Sequence, residues 1–284
     1  MSETTQMAPQ AWARIQLPSQ GIYYDGKLPE GYVHIRKLTA QEEAVLQSQG
    51  MDVIERLSTI LRNCCRLPEG FEYTLPGTKV VYRGHDGLTI SDRMAIILLQ
   101  RNLTFGANYS FTYRCRGCGQ NTKENVNIMQ DFDPVTPDVC RQRAAEDGVD
   151  IGDMAEPFVI RLPDRGVDVK CRLLRGVDER NIFRKAQRTR MQSNDASDTS
   201  YLARLSAQIV EVDGMPQWGE PMFSFQREQW VRSLTARDSA AIRIGVDQRE
   251  TGIDTRVYAQ CRACGNTNEL PLQFDAEFFL PTRL

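Results

Sequence analysis

The sequence predicts an α+β fold: a helical N-terminal part, a central hairpin/helix insert, and a zinc ribbon built from two CxxCG hairpins. Three observations predict it. Apolar residues recur at helical spacing in capped stretches, other stretches alternate apolar and polar residues as strands do, and two near-identical cysteine turns stand far apart in the chain. The turns are Cys115-Arg116-Gly117-Cys118-Gly119 and Cys261-Arg262-Ala263-Cys264-Gly265. At 284 residues the chain is long enough for a substantial core, organised as one large domain or two modest ones.

Residues 1–13 are polar and without periodicity, as expected of a disordered or docking arm. Residues 14–130 form an N-terminal α+β region that carries the first cysteine turn. Leu17-Pro18-Ser19-Gln20-Gly21 is a turn leading into an extended segment at Ile22-Tyr23-Tyr24, and Gly31 to Leu38 alternates as a strand. Thr39-Ala40-Gln41-Glu42 is a capping box for a helix that stops at Gly50. A second helix begins at Asp52, carries Leu57, Ile60, Leu61 and Cys64 on one face, and ends before Pro68. A third runs from about Ser91, with Met94, Ile97, Leu98 and Arg101 on helical spacing, to Gly106. Ala107 to Arg114 is a strand delivering the chain into the first cysteine turn, and Glu124 to Met129 is the strand leaving it.

Residues 131–250 read as an insert of β-hairpin and helices. Its first stretch, to Glu156, is rich in Asp, Pro, Gly and Thr and carries a short helix at 138–146. Phe158–Leu162 and Val167–Leu173 form a hairpin around Pro163-Asp164-Arg165-Gly166. Helix resumes near Asp178, and Gln192 to Thr199 has the composition of a mobile loop. Tyr201, Leu202, Leu205 and Ile209 mark another helix, followed by helices at Gln226–Leu234 and Asp238–Val246. Residues 251–284 form a C-terminal hairpin around the second cysteine turn, which packs on the first. The closing Phe278-Phe279-Leu280-Pro281 reads as a plug folded back into the core rather than an exposed docking element.

Cys115, Cys118, Cys261 and Cys264 are the candidate metal ligands. Two residues between the cysteines of each turn let both thiolates converge on one ion, and the glycine after the second lets the backbone bend around it. Both turns are entered by a Tyr-containing strand, followed by a polar Asn/Thr run, and left by a second strand. This weak internal repeat suggests pseudo-twofold hairpins sharing one ion. Four soft thiolates suit one structural Zn2+ per chain, with rubredoxin-type iron as the alternative. With four protein ligands no position is open for catalytic water. Cys64, Cys65, Cys140 and Cys171 lack the pairing and read as small buried hydrophobes.

The remaining composition excludes several function classes. Charge is nearly balanced, 35 basic against 37 acidic residues, so no nucleic acid partner is expected. The densest basic stretch, Arg184 to Arg190, reads as the solvated end of a helix. No apolar run approaches a membrane span, and Met1 to Gln10 lacks a signal-peptide core, which points to a cytosol-like compartment. With only His34 and His85 in the chain, histidine chemistry has little material. Phosphate loops, nucleophile elbows and HExxH are missing, and the acidic residues are spread as on a solvated surface. No catalytic residue, cofactor-binding site or small-molecule substrate is indicated, and the chain reads as a structural or interaction protein.

The ordered set of motifs goes further. Leu17-Pro18-Ser19-Gln20-Gly21 with its Tyr pair, Leu38-Thr39-Ala40-Gln41-Glu42-Glu43, the Ile54–Cys64 helix, the Asp92–Gly106 helix running into Tyr113-Arg114-Cys115, and a terminal CxxCG finishing in Phe278-Phe279-Leu280-Pro281 together resemble the baseplate hub protein family of T4-like contractile-tailed bacteriophages. The resemblance is clearest over residues 15–130 and 250–284. It implies a non-enzymatic structural component of the tail baseplate, in the hub or at the hub–wedge junction, that contacts other phage baseplate and tail-tube proteins. It also implies a location in the virion tail baseplate after assembly in the host cytoplasm. Two other readings stand beside it: a hub assembly chaperone absent from the mature virion, and a zinc-ribbon nucleic-acid-binding protein.

Overall fold

The computed structural model describes residues 11–192, 199–212, 221–272 and 276–279. It is a mixed α/β structure of helices and small antiparallel sheets. Strand β1 (Ala13–Gln16) pairs with β2 (Tyr32–Ile35), which pairs with the short β3 (Cys65–Arg66). The arm expected over residues 1–13 lies outside the described residues as far as residue 10, and strand pairing begins at Ala13. The extended segment expected at Ile22–Tyr24 is instead a run of turns. Gln20, Ile22 and Tyr24 N–H donate back to the carbonyls of Leu17, Ser19 and Gly21. Gly21 sits at φ 82°, and a Cβ there would lie 2.1 Å from the Leu28 carbonyl oxygen, so the Gln-Gly pair is what lets the chain double back.

Helix α1 (Ala40–Leu46) opens on the expected capping box. Thr39 Oγ1 accepts from Gln41 N–H at 3.3 Å while Glu42 Oε2 accepts from Thr39 N–H at 3.0 Å. Helix α2 (Val53–Cys64) is capped by Asp52, which accepts from Glu55 N–H at 2.8 Å, and it buries the face carrying Leu57, Ile60, Leu61 and Cys64. A hairpin of β4 (Glu72–Thr74) and β5 (Val81–Arg83) follows. Helix α3 (Ile90–Phe105) is capped by Thr89 and ends on Gly106 at φ 85°. It is buried on more than one face, with Ala95, Ile96, Ile97, Leu98, Gln100 and Arg101 all enclosed.

Strands β6 (Asn108–Arg114) and β7 (Asn121–Asn127) form the first cysteine hairpin. Strand β8 (Pro134–Val135) pairs with residues 252–253 far along the chain, and helix α4 (Pro137–Glu146) begins behind Thr136. Strands β9 (Phe158–Arg161) and β10 (Asp168–Cys171) make the expected hairpin, and helices α5 (Gly176–Gln192) and α6 (Thr199–Gln208) follow. The loop expected at Gln192–Thr199 falls on residues 193–198, outside the described residues. Strand β11 (Ile209–Val212) then completes a three-stranded sheet along β10. Ile209, expected on a helix, is therefore in a strand: Ile-Val-Glu-Val is β-branched and half-alternating, and β10 offers it an edge.

Helices α7 (Ser224–Arg232) and α8 (Ala236–Asp247) precede β12 (Gly252–Ile253). The second cysteine hairpin is β13 (Arg256–Gln260) with β14 (Thr267–Pro271), and α9 (Ala276–Phe279) is the last described element. No described helix is long and apolar enough to cross a membrane.

Two large apolar clusters, beside two small ones around Tyr73 and around Leu174, organise these elements. One gathers Leu17–Phe132 residues with Val257, Ala259, Cys261, Leu272, Phe278 and Phe279. The other gathers Val135–Val246 residues together with Tyr23. Between them lies a buried ionic joint. Arg175, with no exposed surface, reaches the carbonyls of Gly87 and Tyr23 at 3.3 Å, stacks 3.7 Å over the Tyr73 ring and pairs with Glu156. Glu156 also accepts from Tyr73 Oη at 2.8 Å and Leu173 N–H at 2.6 Å. Beside it, Tyr24 Oη donates to Asp92 at 2.6 Å, and Arg172 grips Asp178 through two bonds of 2.7 and 2.8 Å. The acidic residues are thus not all on the solvated surface: Glu42, Asp92, Asp178 and Asp238 are buried, with donors from Thr39 and Arg36 to Glu42, from Tyr24 and Ser19 N–H to Asp92, from Arg172 to Asp178, and from Asp164 N–H to Asp238.

Candidate metal centre

The two cysteine turns have one backbone geometry. In the first, Cys115 N–H donates to Gln120 O at 2.9 Å and Gly119 N–H to Cys115 O at 2.9 Å. In the second, Cys261 N–H donates to Asn266 O at 2.9 Å and Gly265 N–H to Cys261 O at 2.8 Å. Gly119 and Gly265 take φ of 75° and 73°, the left-handed region where a side chain is costly, which is the physical reason for CxxCG. Each turn is held by its hairpin, and the hairpins are held by the core. Tyr109, Phe111 and Tyr113 line the buried face of β6, and Val257 and Ala259 that of β13.

The structure brings all four predicted residues together. The sulfurs of Cys115, Cys118, Cys261 and Cys264 lie within 4.8 Å of one another. Cys115 Sγ is 3.7 Å from Cys264 Sγ, and Cys118 Sγ is 3.8 Å from Cys261 Sγ, so each contact joins the first cysteine of one hairpin to the second of the other. A tetrahedral ion with metal–sulfur bonds of about 2.3 Å has ligand edges of about 3.8 Å, so these sulfurs could hold a metal ion. Cys115 and Cys261 are buried, while Cys118 and Cys264 face solvent.

The thiols of the cluster are shifted in opposite directions. The Cys118 N–H, with Asn268 and the Gly117 N–H, draws the Cys115 thiol down to about 6 against the opposing effect of burial. The N–H groups of Ala263 and Cys264 and the Thr122 hydroxyl lower Cys261. Cys264 gains an N–H from Asn266, yet the crowding sulfurs of Cys118 and Cys115, with burial, push it up to about 12. A divalent ion among the sulfurs would balance the charge of the thiolates that held it. When bound, such an ion would serve as a structural cross-link between the hairpins.

Two residues around the cluster were not singled out in the sequence. Asn268, 1% exposed, accepts from Arg116 N–H at 2.9 Å and donates from Nδ2 to Cys115 Sγ at 3.5 Å and to Asn266 O at 3.1 Å. Thr122 Oγ1 lies 3.7 Å from Cys261 Sγ. Each stands in the polar Asn/Thr run after its own turn and reaches the opposite hairpin. The internal repeat was the signal that could have found them. At Gly117 the approach is close enough that a Cβ would meet Asn266 Cβ at 3.0 Å.

The four other cysteines, expected as small buried hydrophobes, are buried singly or in sequence pairs away from the cluster. Burial pushes Cys64, Cys65 and Cys171 up to about 12 and Cys140 to about 11. Of the basic stretch, Arg184, Lys185, Gln187 and Arg188 lie on an exposed face of α5, where Lys185 pairs with Glu228. The aromatic pair near the C-terminus is a plug. Phe278 and Phe279 are buried, Phe278 meets the Tyr109 ring edge-on at 5.1 Å, and Arg101 donates to its carbonyl at 3.3 Å. Leu280 and Pro281 lie outside the described residues.

In comparisons with known proteins, the family model described as T4 bacteriophage base plate protein matches residues 21–280, running through both cysteine turns and through residues 131–250. No curated protein and no solved structure matches the chain.

Proposed function

Because the chain belongs to the T4 bacteriophage base plate protein family, we propose that it is a structural subunit of a contractile-tail baseplate, in the hub or at the hub–wedge junction. The family match over residues 21–280 carries this reading and implies a place in the virion tail among other baseplate and tail proteins. In that role the protein works through its surfaces, to tail-tube, hub and wedge components, and performs no reaction. It is assembled in the host cytoplasm and does not bind nucleic acid. Residues 131–250 form a unit inserted between the two cysteine hairpins.

Cys115, Cys118, Cys261 and Cys264 hold one Zn2+ per chain and make the two hairpins a zinc ribbon. The four-sulfur convergence supports this. Structural zinc contributes on the order of 10 kcal/mol to folding a small site, so the ion fixes the C-terminal hairpin and the surface around it. The balance of 35 basic and 37 acidic residues favours this over a nucleic-acid role.

Mass spectrometry of purified particles tests the assignment. Presence of the polypeptide at a fixed ratio to other baseplate proteins is the expected result. Its presence in infected-cell lysate and absence from finished particles would make it an assembly chaperone instead. Tight, salt-sensitive binding of the isolated protein to DNA or RNA would favour the nucleic-acid reading.

A further inference from the structure

We propose that Thr122 and Asn268 are a reciprocal pair of metal-positioning residues, each hairpin orienting the first thiolate of the other, so that the ion is held fully only when the hairpins are docked. The inference rests on reading the four cysteines as a metal site. Both residues stand seven positions after the first cysteine of their own turn. Both cross the interface: Asn268 Nδ2 lies 3.5 Å from Cys115 Sγ and Thr122 Oγ1 lies 3.7 Å from Cys261 Sγ. The pseudo-twofold relation that exchanges the turns therefore exchanges these contacts too.

The sulfurs they serve are the two that water cannot. Cys115 and Cys261 are 2% and 1% exposed, whereas Cys118 and Cys264 face solvent. A thiolate on a divalent ion retains negative charge, and a buried one needs protein donors to balance it. Backbone N–H groups supply part of that from within each turn, as Gly117 N–H does to Cys115 Sγ at 3.3 Å. The remaining donor comes from across the interface. The Asn268 amide is fixed in orientation, because its Oδ1 accepts from Arg116 N–H at 2.9 Å and Nδ2 is thereby turned toward sulfur. Asn268 thus grips the backbone and the thiolate of the first turn at once. A free hairpin would have its two cysteines but lack this donor.

The full chain loaded with zinc, or with cobalt(II) as a spectroscopic probe, tests the pair. Thr122→Val keeps the shape and removes the hydroxyl, Thr122→Ser restores it, and Asn268→Asp keeps the acceptor for Arg116 while removing the donor. Thr122→Val and Asn268→Asp should weaken zinc about 10–100-fold in competition with a chelator and shift the thiolate-to-cobalt charge-transfer bands. Thr122→Ser should match the parent protein. Should Asn268→Asp fail to fold, the threonine pair decides alone. Variants that bind zinc as tightly as a metal-binding parent, with unchanged cobalt spectra, overturn the positioning role and leave the metal site standing. A parent protein that binds neither metal overturns both.

Discussion

Arg175→Met removes the charge at the buried joint between the two apolar clusters while keeping much of the side chain's length. In the parent, the Arg175 guanidinium has no exposed surface, bonds two backbone carbonyls, stacks on Tyr73 at 3.7 Å and pairs with Glu156. After the substitution the Glu156 side chain, 3% exposed, keeps the Tyr73 hydroxyl and Leu173 N–H but loses its cation. Breaking a buried pair from one side costs about 3–5 kcal/mol, chiefly through the charge left behind. With a urea dependence of about 3 kcal/mol/M, the unfolding midpoint should fall by about 1–2 M. Arg175→Met with Glu156→Gln should recover much of this, because the stranded carboxylate is gone, and equilibrium unfolding followed by circular dichroism gives the full cycle. A cost under about 1 kcal/mol for Arg175→Met, or strict additivity of the two changes, would refute the reasoning that the pair binds the two clusters together.

Three further expectations concern other parts of the molecule. Burial drives the His85 imidazole down to about 4, so the unfolded chain binds that proton first; the stability it supports is complete above about pH 6.5 and lost as pH falls toward 4. Burial alone would raise Glu42, but Arg36 and Thr39 hold it at about 2, so its contribution persists above about pH 4.3 and is lost as pH falls through 2. In urea titrations at stepped pH, Glu42→Gln should flatten only the lower window and a His85→Gln variant only the upper. Phe278→Ala empties a fully buried site against Tyr109 and should cost about 3–5 kcal/mol, whereas Val159→Ala, at a side chain 51% exposed, should change stability by less than about 0.5 kcal/mol. Gly117→Val forces a branched side chain against Asn266 and should loosen the C-terminal hairpin, read as faster amide exchange in residues 256–271.

The parts legible in the sequence were those governed by local rules. Thr39-x-x-Glu42 and Asp52 announced their helices because a cap is a contact within four residues. The cysteine turns announced their ligands because CxxCG encodes both thiolate convergence and a positive φ. The hairpin of Glu72–Thr74 with Val81–Arg83 leaves little trace in the sequence, its three-residue strands being too short for alternation to register, although Pro76-Gly77 marks its turn. Ile209 fell at helical spacing from Leu205, and only the edge offered by Lys170 and Cys171 makes it a strand. The ionic joint was invisible for a similar reason. Arg175 and Glu156 look in sequence like any solvated pair, and their burial comes from residues as remote as Tyr23, Tyr73 and Gly87. Asn268 and Thr122 were in view as members of a polar run, but their partners lie in the other hairpin.

On the proposed reading, four thiolates clamp the C-terminal hairpin onto the first through one metal ion. Native mass spectrometry of the purified chain, with hydrogen exchange before and after chelation, tests it most directly. The expected result is one zinc per chain, and loss of protection in residues 256–271 and 108–127 on chelation while α2 and α3 stay protected. A metal-free chain whose Cys115, Cys118, Cys261 and Cys264 are all alkylated with no change in hairpin protection would contradict it.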